Sequence, residues 1–281
     1  MPELPEVETI RRGLTSLVVG KTVTYVTVRL PRIIRFPSVP EFEERLVGRT
    51  IHAIHRRGKY LVFDMEPFTM ISHLRMEGQY RVADRDEPLA SHTHVIFGMS
   101  DGTELRYRDV RQFGTMDALA DDEERPSGLV NLGPEPFDPV LTPNVFYTRL
   151  HSRSAPIKSV LLDQVCIAGL GNIYVDEALF LSGIHPLTKA SRIGQGRCEL
   201  LLGAIRNVLS RAIEAGGSSV RTYVNGYGRH GGFQMQLNVY ARQGQPCFVC
   251  GQAIEKIKLG GRGTHFCPHC QARGGRRRND N

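Results

Sequence analysis

Four cysteines fall in two pairs, Cys247 with Cys250 and Cys267 with Cys270, with sixteen residues between the pairs. That spacing suits one tetrahedral Zn2+ held by four thiolates. Between the pairs, AIEKIKL and THFC can pair as strands around Gly260-Gly261-Arg262-Gly263, which puts Arg262 at a hairpin tip. An arginine there is well placed to meet phosphate, or it is merely solvated on a structural ribbon. His265 and His269 are bystanders, because four cysteines already complete a zinc shell. At the other end, residues 2–8 read PELPEVE. Methionine aminopeptidases generally remove Met1 when proline follows, so the mature chain should begin with the secondary amine of Pro2. Such an amine can attack an aldehyde-level carbon and form an iminium. A helix start beside it would disfavour protonation, whereas Glu3 and Glu6 would favour it. Prolines and acids at a helix start are also ordinary capping, and the residues alone leave both readings open.

The elements that must hold these groups follow from periodicity. Val7, Ile10, Leu14 and Leu17 recur at helical spacing, Pro5 suits a first turn and Gly20 a stop, so a helix opens the chain. The segments TVTYVTVRL, RTIHAIHRRGKYLVFDM and HVIFGMSDGTELRYRDV then predict a mostly antiparallel β domain over 1–131. Four prolines in 132–143 mark a linker. From 144 to 240 the pattern is helical: VFYTRLHSR, PIKSVLLDQ, NIYVDEALFLSG and RCELLLGAIRNVLSRAIEAGG. Within that span, 216–232 is rich in Gly, Ser and Tyr and reads as a mobile loop. A short strand, LNVYAR, leads into a ribbon over 241–271, and 272–281 is a basic, disordered tail. The fold class expected is α+β.

The chain carries 36 Lys and Arg against 29 Asp and Glu, a net charge of +7, which makes a polyanionic partner plausible. The excess gathers at the carboxyl end, where Tyr240 to Asn281 holds eight basic residues against two acids. No stretch approaches the roughly 20 apolar residues that cross a bilayer, and the amino end lacks the order of a signal peptide. A soluble intracellular protein is expected, in which Cys166 and Cys198, set in apolar helical segments, are core residues.

PELPEVETIRRGL, RRGKYLVF, HLRMEG, RYRDVRQFG, IKSVLLDQ, GLGNIYVDEALF and the ribbon with GGRGTHFC occur in this order, and together the chain resembles the bacterial formamidopyrimidine-DNA glycosylase family over its whole length. The resemblance implies an amino-terminal β-sandwich carrying the first helix, a helix-two-turn-helix domain and a zinc ribbon. It implies a monomeric, cytoplasmic, nucleoid-associated enzyme of base excision repair. Its partner would be double-stranded DNA containing 8-oxoguanine, formamidopyrimidines or abasic sites, which it would cut by β,δ-elimination. Pro2 would form the Schiff base, Glu3 would donate and shuttle the proton, Lys59 would serve β-elimination and Arg262 δ-elimination, both meeting phosphate. Met76, Arg111 and Phe113 match an intercalating set; His92, Arg153, Lys158 and Asn172 match DNA-backbone contacts; Glu6 and Arg229 match lesion recognition, the latter in the capping loop 216–232. Asn172 also reads as the N-cap of the NIYVDEALF helix. Two competing readings are an endonuclease VIII-like enzyme for oxidised pyrimidines, whose PEGPE start Leu4 departs from, and a non-catalytic zinc-ribbon protein, which would not need Pro2, Glu3 and Lys59 together.

Overall fold

Leu4, Val7, Ile10, Leu14 and Val18 recur every three or four residues and are each 1% exposed or less, so the first helix, α1 (Leu4–Val18), buries one continuous stripe. The computed structural model describes residues 1–218 and 231–273, in two compact units. The first is Met1–Val130 with Ile213–Gln234. After α1 come β1 (Val23–Val28), β2 (Ile34–Phe36), α2 (Val39–Leu46), β3 (Ala53–Arg57), β4 (Tyr60–Met65), β5 (Phe68–His73), β6 (Gln79–Asp84), β7 (Thr93–Met99), β8 (Thr103–Arg108), β9 (Thr115–Ala120) and the short α3 (Ser127–Val130). They form a four-stranded sheet, β1-β7-β8-β6, and a five-stranded one, β2-β9-β5-β4-β3. Pairing is antiparallel except between β2 and β9. Leu61, Phe63 and Met116 of one sheet share a core with Val95, Phe97 and Tyr107 of the other, and α1 and α2 add Val7, Leu14 and Phe42. The expected sandwich is therefore present, with the first helix part of its core.

The second unit is Asn131–Ala212 with Met235–Asn281. Its helices are α4 (Pro143–His151), α5 (Ile157–Leu162), α6 (Asn172–Leu181) and α7 (Gln195–Glu214), followed by the hairpin β10 (Glu255–Leu259) and β11 (Arg262–Phe266). Linker, helices and ribbon lie in one compact unit. Phe180 of α6 packs against Val239, Cys247, Ile254 and Cys267 of the ribbon. The Gln271 amide closes the same joint, donating to Ile184 O at 2.8 Å and accepting from Cys267 N at 2.9 Å.

Three local expectations change. LNVYAR forms no strand. The carboxylate of Glu177 accepts the backbone N–H groups of Asn238, Val239 and Tyr240 and the Asn238 amide, 2.8 to 3.0 Å, which takes these donors away from any ladder. The N-cap of α6 is Gly171, and Asn172 is the first helical residue. Cys166 sits in a turn rather than a helix, though it is buried as expected, as is Cys198 in α7, and burial pushes both thiols up to about 11. Arg229 and 274–281 lie outside the described residues.

Candidate active site

The amino end is fixed from beneath. Pro2 is buried, and Glu3 and Glu6 are 3% and 2% exposed. Glu3 N donates to Glu6 Oε2 at 2.8 Å, which is the return half of a capping box at the start of α1. Glu6 Oε1 accepts from Ser218 N at 2.7 Å, so one carboxylate ties the helix start to the segment leading into 219–230. Lys59, 7% exposed, lies with Gly58 in the two-residue turn between β3 and β4, not within a strand. The terminal amine, carried here by Met1, has its pKa lowered, chiefly by burial. Glu3, Glu6 and Glu77 pull it up, while the Lys59 charge adds to the fall. Of the opposed influences foreseen at this end, burial therefore outweighs the acids, and the amine's pKa lies below its ordinary value.

His73, at the end of β5, opens the HLRMEG motif, but the sequence assigns it no role. It is 8% exposed, its ring meets Tyr60 edge-on with centroids 4.4 Å apart, and its Nδ1 accepts from Arg75 N at 2.9 Å. Burial, then the charges of Arg75, Lys59 and Arg35, push its pKa down to about 3. A neutral imidazole thus holds the backbone of Arg75, whose φ is +53°, at the entry to the loop carrying Met76.

Met76 and Phe113 are 36% and 53% exposed, and Arg111 is exposed with its guanidinium 5.1 Å from the Phe113 ring centre. Exposed Met and Phe at loop tips fit a wedge and not a core. Beneath them Asp109 is fully buried. The sequence assigns it no role, although it lies within RYRDVRQFG and follows a strand at the start of a turn. His92, exposed with φ +64°, accepts Asp109 N at its carbonyl.

In the second unit the hairpin tip is Gly260-Gly261, φ +54° and +77°, as a two-residue turn between twisted strands requires. Arg262 is exposed and opens β11 opposite Leu259, flanking the tip. The four sulfurs of Cys247, Cys250, Cys267 and Cys270 lie within 4.8 Å of one another, with Cys250 to Cys267 at 3.5 Å and Cys247 to Cys270 at 3.9 Å. A tetrahedral zinc with bonds of about 2.3 Å needs sulfurs about 3.8 Å apart, so the set fits that ion.

Lys158 corrects an expectation. Its side chain is 0% exposed, and Nζ donates to Asp176 Oδ1 at 2.7 Å and to Gly263 O at 3.1 Å. It cannot reach a DNA phosphate from there; it ties α5 and α6 to the hairpin behind Arg262. Asn172 Nδ2 reaches the same Gly263 carbonyl at 3.0 Å, which leaves Asn172 Oδ1 buried without a hydrogen-bond partner among the described residues. Arg153, on the surface, lies 3.4 Å from Asp163.

Comparison with known proteins agrees with this arrangement. Residues 1–116 match the profile described as the formamidopyrimidine-DNA glycosylase N-terminal domain, 132–224 its H2TH domain, and 244–273 a zinc finger found in FPG and IleRS. The formamidopyrimidine-DNA glycosylase of Bacillus subtilis (strain 168) is 51% identical over 275 residues, covering 97% of this chain and 100% of that one. That of Geobacillus kaustophilus is 51% identical over 273 residues, covering 96% and 100%. Among solved structures, a complex of Lactococcus lactis Fpg with DNA containing an abasic site superposes with a TM-score of 0.90 at 42% identity, covering 96% of this chain and 100% of that one. A MutM complex with DNA containing carbocyclic 8-oxo-G gives 0.89 at 42%, covering 97% and 100%.

Proposed function

The chain belongs to the formamidopyrimidine-DNA glycosylase family, and from that premise we propose that it excises oxidised purines from duplex DNA and then cuts the strand, using the amine of Pro2. The observation that carries this reading is the placement of the amino end: Pro2, Glu3, Glu6 and Lys59 are all buried there, and burial lowers the pKa of the terminal amine. With Met1 removed, that end is the secondary amine of Pro2, which in its unprotonated form can attack the sugar's anomeric carbon. As the N–C bond forms, the bond to the damaged base breaks. Glu3 supplies the proton that the leaving base or the opening ring oxygen takes up. The resulting iminium acidifies the adjacent sugar proton, and loss of the 3′ and then the 5′ phosphate follows. Lys59 and Arg262 serve these two eliminations and hold phosphate, and Glu6 orders the residues that contact the lesion.

A base inside the duplex is out of reach and has to be everted. Met76 and Phe113 fill the gap and Arg111 faces the orphaned partner base, while His92, Arg153 and Asn172 meet the sugar–phosphate backbone. One zinc held by the four cysteines stiffens the hairpin that presents Arg262. The site of action is bacterial cytoplasmic DNA within the nucleoid; among the described residues no helix is long and apolar enough to cross a membrane.

Borohydride added to protein with 8-oxoguanine duplex should trap a covalent adduct. The adduct should vanish in Pro2→Gly and in protein that retains Met1, and fall in Glu3→Gln. An adduct of full yield on Met1-retaining protein would overturn the role of Pro2.

A further inference from the structure

Six residues, 109–114, join β8 to β9 and carry Arg111 and Phe113 into solvent. A loop this short with exposed tips keeps its direction only if its backbone donors are held. Asp109, 0% exposed, holds them: Oδ1 accepts from Arg111 N at 3.1 Å, and Oδ2 from Phe113 N at 2.9 Å and Gly114 N at 2.8 Å. Its own carbonyl accepts from Gln112 N at 3.2 Å and lies 2.9 Å from His94 Nε2. Gln112 takes φ +58°, the turn that brings successive N–H groups round one anion. A buried carboxylate is tolerated there because several donors face it.

A second loop, from Leu74 to Gly78, carries Met76. Tyr107, 0% exposed, joins the two. Its hydroxyl donates to Asp109 Oδ2 at 3.4 Å, and a Cβ on Gly114 or Gly78 would fall 1.7 or 2.4 Å from that oxygen. Both loops therefore press their glycine backbones onto one phenol. Burial and the Asp109 charge raise the phenol's pKa, which keeps its proton available for donation.

We propose that Asp109 is a positioning residue for base eversion: with the Tyr107 hydroxyl as key, its carboxylate sets the Met76 loop and the Arg111–Phe113 loop in the one register in which the three side chains enter the stack together. The role rests on the wedge assignment made above but not on the chemistry of Pro2.

The test uses the full zinc-loaded chain as wild type, Asp109→Asn, Tyr107→Phe, Phe113→Ala and the Asp109→Asn/Phe113→Ala double variant. Asn keeps the size of Asp109 but turns an amide N–H₂ toward the loop donors. Two substrates separate eversion from chemistry: duplex with 8-oxoguanine opposite cytosine, and a single-stranded oligonucleotide with an abasic site, which needs no eversion. Asp109→Asn should lower single-turnover excision on the duplex by about tenfold or more, the scale of losing buried acceptor bonds, and leave borohydride trapping on the single strand unchanged. Tyr107→Phe should do the same to a smaller degree. The double variant should lose no more than the worse single one, because both act through one wedge. Equal losses on both substrates, additive losses in the double variant, or wild-type excision by Asp109→Asn would each overturn the proposal.

A 2-aminopurine beside the lesion reads stack opening without chemistry. It should brighten on binding wild type and not on binding Asp109→Asn. Wild-type protein that brightens the probe but forms no adduct would sink the Pro2 reading and leave this one standing. Wild type that binds without brightening it would sink this one. Should Asp109→Asn fail to fold, Tyr107→Phe carries the same comparison.

Discussion

At the scale of single residues, burial more than neighbouring charge lowers the pKa of the terminal amine and of His73. His73 is the clearest case. Its unfolded pKa of 6.5 falls to about 3 in the folded chain, so below pH 6.5 the unfolded state takes up a proton that the folded state refuses. Stability is then full above the unfolded value and is lost as pH falls from 6.5 toward 3. Between pH 7.5 and 5 this one group should remove about 2 kcal/mol, since each unit of separation is worth about 1.4 kcal/mol. In His73→Asn the amide oxygen can still accept from Arg75 N while the titration is gone. The variant is expected to lose less stability than wild type over that interval, measured by urea unfolding at both pH values. A variant as acid-sensitive as the wild type would show that His73 is not the group titrating. Asp109 and His73 share a logic: each is buried, each holds a loop that passes through the left-handed region, and each loop carries an exposed apolar side chain.

At the scale of elements, α6 carries the ribbon. Asp176 takes Lys158 Nζ and His265 N, Glu177 takes four donors from 238–240, and Asn172 reaches Gly263. Asp176→Asn would strand a fully buried ammonium and is expected to cost about 3–5 kcal/mol, whereas Lys158→Met with Asp176→Leu together should cost much less than the two single losses summed. Thermal unfolding of Asp176→Asn, Lys158→Met, Asp176→Leu and the Lys158→Met/Asp176→Leu double variant checks this; additive losses in the double would mean the pair is not coupled. Much of this scale was legible in the chain. Helical spacing gave α1 because its buried stripe is regular, and the cysteine spacing gave the ribbon because four thiolates at those intervals have few other uses. Exposure at Met76 and Phe113 was legible only through family likeness, since a Met or Phe alone reads as core. Lys158 is misassigned from sequence and Asp109 is given no role there for one reason: what each does depends on partners far along the chain or on backbone groups, and a sequence displays neither. Lys158 finds Gly263 105 residues away. LNVYAR alternates like a strand, yet Glu177, 61 residues before Asn238, claims its donors.

At the scale of the molecule, the proposed function places most of the chemistry in one unit and most of the grip in the other. Pro2, Glu3, Lys59 and the wedge lie in the first; the zinc set, Arg262 and the basic end lie in the second. Each cation that neutralises a phosphate releases counterions, so the logarithm of affinity falls with the logarithm of salt in proportion to the contacts made. Arg262→Ala is expected to weaken duplex binding and to reduce that slope by about one contact's worth, with little change between lesion and undamaged duplex. Zinc removal should act more broadly. The ribbon's apolar centre is small, Val239, Ile254 and Phe180 beside the cysteines, and a hairpin with so little core depends on its metal for order. Chelation should therefore flatten the slope further than Arg262→Ala, because β10 of the same hairpin carries two more exposed cations, Lys256 and Lys258, which would lose their placement along with Arg262. The nine-stranded sandwich of the first unit should keep its own unfolding transition. Fluorescence anisotropy at several salt concentrations, paired with calorimetry before and after chelation, tests both parts. A slope unchanged after verified zinc loss would mean that the grip on DNA lies outside the ribbon. Loss of both transitions would mean that the first unit does not stand without the second.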